Sequence, residues 1–131
     1  LVSGSGEPGD PYDLLLNDAW AAEVADTITP TAWTAVTFTN SWVNFGAGEQ
    51  DVEYRKIGDL VFVRGAMKSG TVGSASFTLP VGFRPPAIVY FAVPSNSLYG
   101  QFRISSAGAA TLTSGSNVSA LLDGVSFSIA P

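Results

Sequence analysis

The sequence predicts an all-β fold, an antiparallel β-sandwich or jelly-roll-like head preceded by a short N-terminal helix. Three observations predict it. From Trp33 onward apolar residues recur at every second position, the period of a half-buried strand. Turn-forming clusters interrupt that alternation at short intervals, which divides the region into roughly nine or ten strands. Residues 87–93 are almost wholly apolar, as in a strand buried on both faces, or on one face plus an interface.

Taken in chain order, residues 1–11 are rich in Gly, Ser and Pro and form a linker. Within it Gly6-Glu7-Pro8 and Gly9-Asp10-Pro11 are two Gly-X-Y triplets. Only Gly fits the crowded axis of three collagen chains, but two triplets are few, so they read first as a Pro/Gly-rich linker and second as the end of a collagen-like stem. Residues 12–30 predict an amphipathic helix. Asp10 can cap it, Pro11 suits the first helical position, and Asp13 favours the positive end of the dipole. Leu16, Trp20, Val24 and Ile28 recur every four residues, and Thr29-Pro30 ends the segment. A helix this short needs a partner for its apolar stripe. That partner is either the β-domain itself or two sister helices in a threefold neck.

Residues 31–131 hold the strands. Val36/Phe38, Val43/Phe45, Leu60/Phe62, Phe102/Ile104, Ala110/Leu112 and Val125/Phe127/Ile129 alternate with other residues. The last case is the clearest, because Ser126 and Ser128 occupy the opposite face. The expected core is Val36, Phe38, Leu60, Phe62, Val89, Phe91, Phe102, Ile104, Leu112, Phe127 and Ile129. Turns are expected at Asn40-Ser41, Gly58-Asp59, Ser69-Gly70, Ser106-Ala107-Gly108, Ser114-Gly115 and Asp123-Gly124.

Composition narrows the function. The 131 residues contain no cysteine and no histidine. Disulfides and thiolate chemistry are thereby excluded, along with the usual general base and the commonest metal ligand. Charged residues are 13% of the chain, against about 25% ordinarily, beside 46% hydrophobic residues. A monomer has little polar material with which to cover itself, so some apolar surface is expected to face sister subunits. Net charge is −5 and the six basic residues are scattered. Nucleic acid is therefore not an expected partner. No apolar run approaches the about 18 residues of a membrane span, and the opening Leu1-Val2-Ser3-Gly4 is not expected to be a secretory signal. A start at Leu1 and not at Met is expected of a piece of a longer polypeptide.

The constellations of catalysis are missing. There is no Gly-x-Ser-x-Gly elbow and no phosphate-cradling glycine loop. Asp51, Glu53 and Arg55 project from one strand face and are read as a solvated polar stripe, not as the facing carboxylates of a glycosidase. No stretch has calcium-loop spacing. Asn117-Val118-Ser119 matches a glycosylation sequon, which matters only in a eukaryotic secreted context. No enzyme activity, cofactor or metal is expected.

The segment Tyr54-Arg55-Lys56-Ile57-Gly58-Asp59-Leu60-Val61-Phe62-Val63-Arg64-Gly65 resembles the C-terminal head domains of tail-fibre, minor-tail and receptor-binding proteins of tailed bacteriophages and prophages. Those chains carry a Tyr-Arg-Lys segment, a Gly-Asp turn and an alternating strand ending in Gly. Leu79-Pro80-Val81-Gly82-Phe83-Arg84-Pro85 is similar to their Leu-Pro-x-Gly-aromatic-Arg-Pro element, and Trp42-Val43-Asn44-Phe45-Gly46 to their Trp-x-Asn-Tyr-Gly element. The stretch 104–112 and the closing Leu122-Asp123-Gly124-Val125-Ser126-Phe127 fit the same template. The resemblance implies a homotrimeric head at the virion's tail or fibre tip, joined to upstream fibre or tail segments and attaching to a host cell-surface glycan or glycopolymer. A structural trimerisation cap or capsid-surface fibre tip without receptor binding is the alternative. The motif residues are scaffold: turns, strand ends and an extended Arg84-Pro85-Pro86 connection.

If successive strands run antiparallel, their connections alternate between two ends. The tight turns at Gly58-Asp59, Ser106-Gly108 and Asp123-Gly124 then share one end. The wider connections 46–50, 69–74, 94–98 and 114–117 share the other, where binding residues are expected. Glycan sites combine aromatic faces with amides or carboxylates, which nominates Trp42, Asn44, Asn96, Tyr99 and Asn117. Against this, Trp42 suits the core, Tyr99 a subunit seam, and the asparagines ordinary turns.

Overall fold

The computed structural model describes residues 29–131. The linker, the triplets and nearly all of the expected helix lie outside the described residues. Eleven short strands make up the described region: β1 (Thr34–Ala35), β2 (Val43–Asn44), β3 (Glu53–Ile57), β4 (Leu60–Arg64), β5 (Ala66–Lys68), β6 (Ala75–Thr78), β7 (Val89–Ser95), β8 (Leu98–Ile104), β9 (Ala109–Ser114), β10 (Ala120–Leu121) and β11 (Val125–Ser128). They form three antiparallel sheets with strand orders β1-β3-β4-β11, β10-β5-β2 and β6-β9-β8-β7. The all-β antiparallel class read from the sequence is the one observed.

The sheets meet in one apolar core. β4 and β11 supply Val61, Val63, Val125 and Phe127, the four-strand sheet opposite supplies Phe77, Val93, Phe102, Ile104 and Leu112, and Met67 and Leu122 fill the corner. Burying each of these large side chains is worth roughly 1.5–3 kcal/mol. Phe102, Ile104, Leu112 and Phe127 are buried as expected, while Val36, Phe38, Val89, Phe91 and Ile129 are half-buried against the cluster.

On β4 the expected face is reversed. Val61 and Val63 point into the core, Phe62 is only half-buried, and Leu60 is 47% exposed. Hairpin register explains the reversal. Gly58-Asp59 joins β3 to β4 with Ile57 opposite Leu60, so Arg55 faces Phe62 and Glu53 faces Arg64. Phe62 therefore shares the outer face with the polar stripe. There Arg64 bonds Glu53 at 2.7 Å and lies 3.9 Å from the Trp33 ring centroid.

Between β4 and β5 the chain changes sheets at Gly65 without reversing direction. Its φ is +111°, which disfavours any residue with a Cβ, and a Cβ here would run into the Asp51 carbonyl. The corner upsets the expected alternation of ends. Asp123-Gly124, expected to be a hairpin beside Gly58-Asp59, instead links β10 to β11 across two sheets. It sits against Gly65, whose N–H donates to Asp123 Oδ1 at 2.9 Å. Gly58-Asp59 lies at the far end of β4, where Ile129 N–H donates to the Asp59 carbonyl at 2.8 Å.

The apolar run 87–93 belongs to the edge strand β7. Val89, Phe91 and Val93 face the core, whereas Tyr90, Ala92 and Pro94 face outward, Tyr90 being 54% exposed. Within the described chain the strand is thus covered on one side.

Candidate functional site

Three connections converge at one end of the sandwich and enclose a cleft of about 340 Å³. The first leaves β2. Phe45 N–H donates to the Ala66 carbonyl at 2.9 Å, and a tight turn closes with Glu49 N–H on the Gly46 carbonyl at 2.9 Å. Phe45 and Glu49 are thereby set at the cleft wall. The Lys68 ammonium lies 5.1 Å from the Phe45 ring centroid.

The second connection is the β7–β8 hairpin. Its register brings Ser95 opposite Leu98, leaving Asn96 and Ser97 as a two-residue turn. Both adopt left-handed φ, 48° and 66°, as a type I′ turn requires, and Asn tolerates that region well. The turn places Asn96 and Ser97 beside Pro94 in the lining of the cleft.

The third connection, between β9 and β10, is locked to the second by a buried serine. Ser95 Oγ accepts from Ser116 N–H at 2.8 Å and donates to the Ser119 carbonyl at 2.9 Å. Asn96 N–H donates to Ser119 Oγ at 3.0 Å. Val118, 56% exposed, and Leu121 complete the wall. Buried polar bonds of this kind hold two loops in one arrangement. The cleft thus combines an aromatic ring, apolar flanks, one carboxylate, one amide and three serine hydroxyls, two of which are engaged in the loop lock. An adjacent groove of about 430 Å³ is lined by Gly48, Glu49, Gln50, Asp51 and Glu53. Among the described residues no cluster of three or more His, Cys, Asp or Glu is arranged to hold a metal ion.

The nominated residues fall in different places. Asn96 lines the cleft. Asn117 supports it from behind: its Nδ2 donates to the Gly70 carbonyl at 3.0 Å, and its carbonyl accepts from Ser69 N–H at 2.7 Å. Asn44 Oδ1 accepts from Val52 N–H at 2.8 Å and is spent holding the β2 connection. Tyr99 is 79% exposed on the outer face of β8, beyond the cleft wall. Trp42 is corrected outright: it is 2% exposed, with Gly70 pressed against its indole, and offers no face to a ligand. The reason is local, since the indole fills a site where Gly70 has no side chain. Phe45, Glu49, Ser97 and Ser119 were not nominated. Their signal was position, since Glu49 lies inside a nominated loop, Ser97 inside another, and Phe45 and Ser119 flank two of them.

No family model matches the chain, and no curated protein matches its sequence. Among solved structures it is similar to the receptor binding protein (gp15) of Listeria phage PSA. The TM-score is 0.70 at 20% sequence identity, over 95% of this chain and 81% of that one. At this identity the likeness is one of fold, and that fold is the one implied by the residue motifs around Gly58-Asp59 and Leu79-Pro80.

Proposed function

We propose that this chain is the receptor-binding head of a tailed-phage fibre or tail, attaching the virion to a host cell-surface glycan or glycopolymer through the cleft between the 45–49, 94–97 and 118–121 segments. The observation that carries this reading is the fold shared with a phage receptor binding protein along nearly the whole chain. The cleft supports it, because a rigid sandwich holds three loops around hydrogen-bonding side chains and apolar flanks. On this reading the protein binds and does not catalyse, consistent with a sequence free of histidine and cysteine.

The head works as a homotrimer joined to upstream fibre or tail segments. Support comes from the low charge and from exposed Leu60, Tyr90, Leu98 and Tyr99, apolar surface that association would cover. The test is fluorescent full-length chain applied to a panel of intact bacteria. Saturable staining of one host, competed by that host's purified wall glycan, is the expected result. Trimeric protein that stains none of the panel would favour a structural cap.

A further inference from the structure

The cleft has a definite charge character. Glu49 is the one ionisable side chain on its wall, and no described residue forms an ion pair with it. The neighbouring groove adds Asp51 and Glu53. Of these, Glu53 is matched by Arg64. The Lys68 ammonium, 5.1 Å from the Phe45 ring centroid, keeps its charge but does not line the cleft, where Glu49 alone is ionisable.

The polar atoms are unequally available as well. Ser95 Oγ and Ser119 Oγ are occupied within the loop lock. That leaves the Glu49 carboxylate, the Asn96 amide and the Ser97 hydroxyl open. An ionised carboxylate only accepts hydrogen bonds, so its partner must bring donors. Adjacent hydroxyls of a pyranose do so, while Phe45, Pro94 and Val118 offer apolar contact to its C–H face. A phosphate or uronate brings no donor at its charged group and meets like charge.

We infer that the cleft takes an uncharged pyranose through adjacent free hydroxyls on Glu49 and Asn96, and that it excludes sugar units bearing phosphate or carboxylate. This rests on the cleft being the receptor site. It goes further by assigning Glu49 as the residue that sets specificity. In an acidic glycopolymer, the bound element would then be a neutral sugar and not the charged backbone.

The experiment is an amide-resolved NMR titration of the isotopically labelled full chain at low ionic strength. The probes are methyl glucoside and methyl galactoside, set against glucuronate, galacturonate and glucose 6-phosphate, with glucuronamide as the uncharged analogue of the first acid. Neutral probes should perturb Glu49, Asn96, Ser97 and Val118. The acids should bind at least about fivefold more weakly, the scale expected of one like-charge contact in a wet cleft. Glucuronamide should recover the neutral affinity, and Glu49→Gln or added salt should narrow the gap. Acids that bind as well as neutral sugars at these same residues would overturn charge selection while leaving the cleft as the site. Perturbation elsewhere by every probe, or none by any, would overturn both.

Discussion

Gly65 and Asp123, fifty-eight positions apart, are joined by a 2.9 Å hydrogen bond from the Gly65 N–H to Asp123 Oδ1. The bond closes the corner at which the chain passes from β4 to β5 and at which β11 begins. Gly65→Ala places a methyl group against the Asp51 carbonyl in a backbone conformation that suits only glycine. It should cost about 3 kcal/mol or more. Asp123→Ala removes a carboxylate acceptor from the buried Gly65 N–H and should cost about 1–3 kcal/mol, less than the glycine substitution. Urea unfolding of the two variants measures the difference, and equal midpoints would contradict the corner's role.

The face of β4 has a measurable consequence. Phe102 is wholly buried, so Phe102→Ala should cost about 3–5 kcal/mol. Phe62→Ala, at a half-buried position among Arg55, Arg64 and Ser126, should cost clearly less. Ser126→Ala should stay within about 0.5 kcal/mol of the parent. Thermal unfolding should rank the three in that order.

Attachment should depend on the cleft end and not on the far end. Asn96→Gly keeps the left-handed turn while removing the amide. It should lower host-cell binding at least tenfold with little change in melting temperature. Asp59→Ala at the opposite end should bind like the parent. Tyr99→Ala, on the outer sheet face, should leave cleft binding unchanged and bear instead on assembly.

Assembly is read by sedimentation of the full chain at micromolar concentration. A species of three times the 13.6 kDa chain mass is expected. Tyr90→Glu, which puts a charge on the exposed outer face of β7, should shift the distribution toward monomer if that face lies in the seam. A parent that sediments as a clean monomer would sink the trimeric reading.

Part of what the sequence was slow to yield was present in it. Leu60-Val61-Phe62-Val63 is apolar at every position, so alternation alone does not choose a face. A two-residue turn at Gly58-Asp59 nevertheless forces Arg55 opposite Phe62 and Glu53 opposite Arg64. Joining the polar stripe to the turn would have turned Val61 and Val63 inward.

By itself the sequence determined the β class, most turns, and the inward face of β11 through Val125 and Phe127. These follow from period, turn chemistry and connection length, which act over a few residues. The burial of Trp42, the turn of the chain at Gly65 and the joining of Phe45, Glu49, Asn96 and Ser119 were decided only by tertiary structure. Each depends on a partner far along the chain: Gly70 for Trp42, Asp123 for Gly65, and the Ser95–Ser119 bond for the cleft. A strand that changes sheets without reversing leaves no mark in its alternation. Which loops share an end is therefore settled by packing across the core, where the contacts that fix it lie.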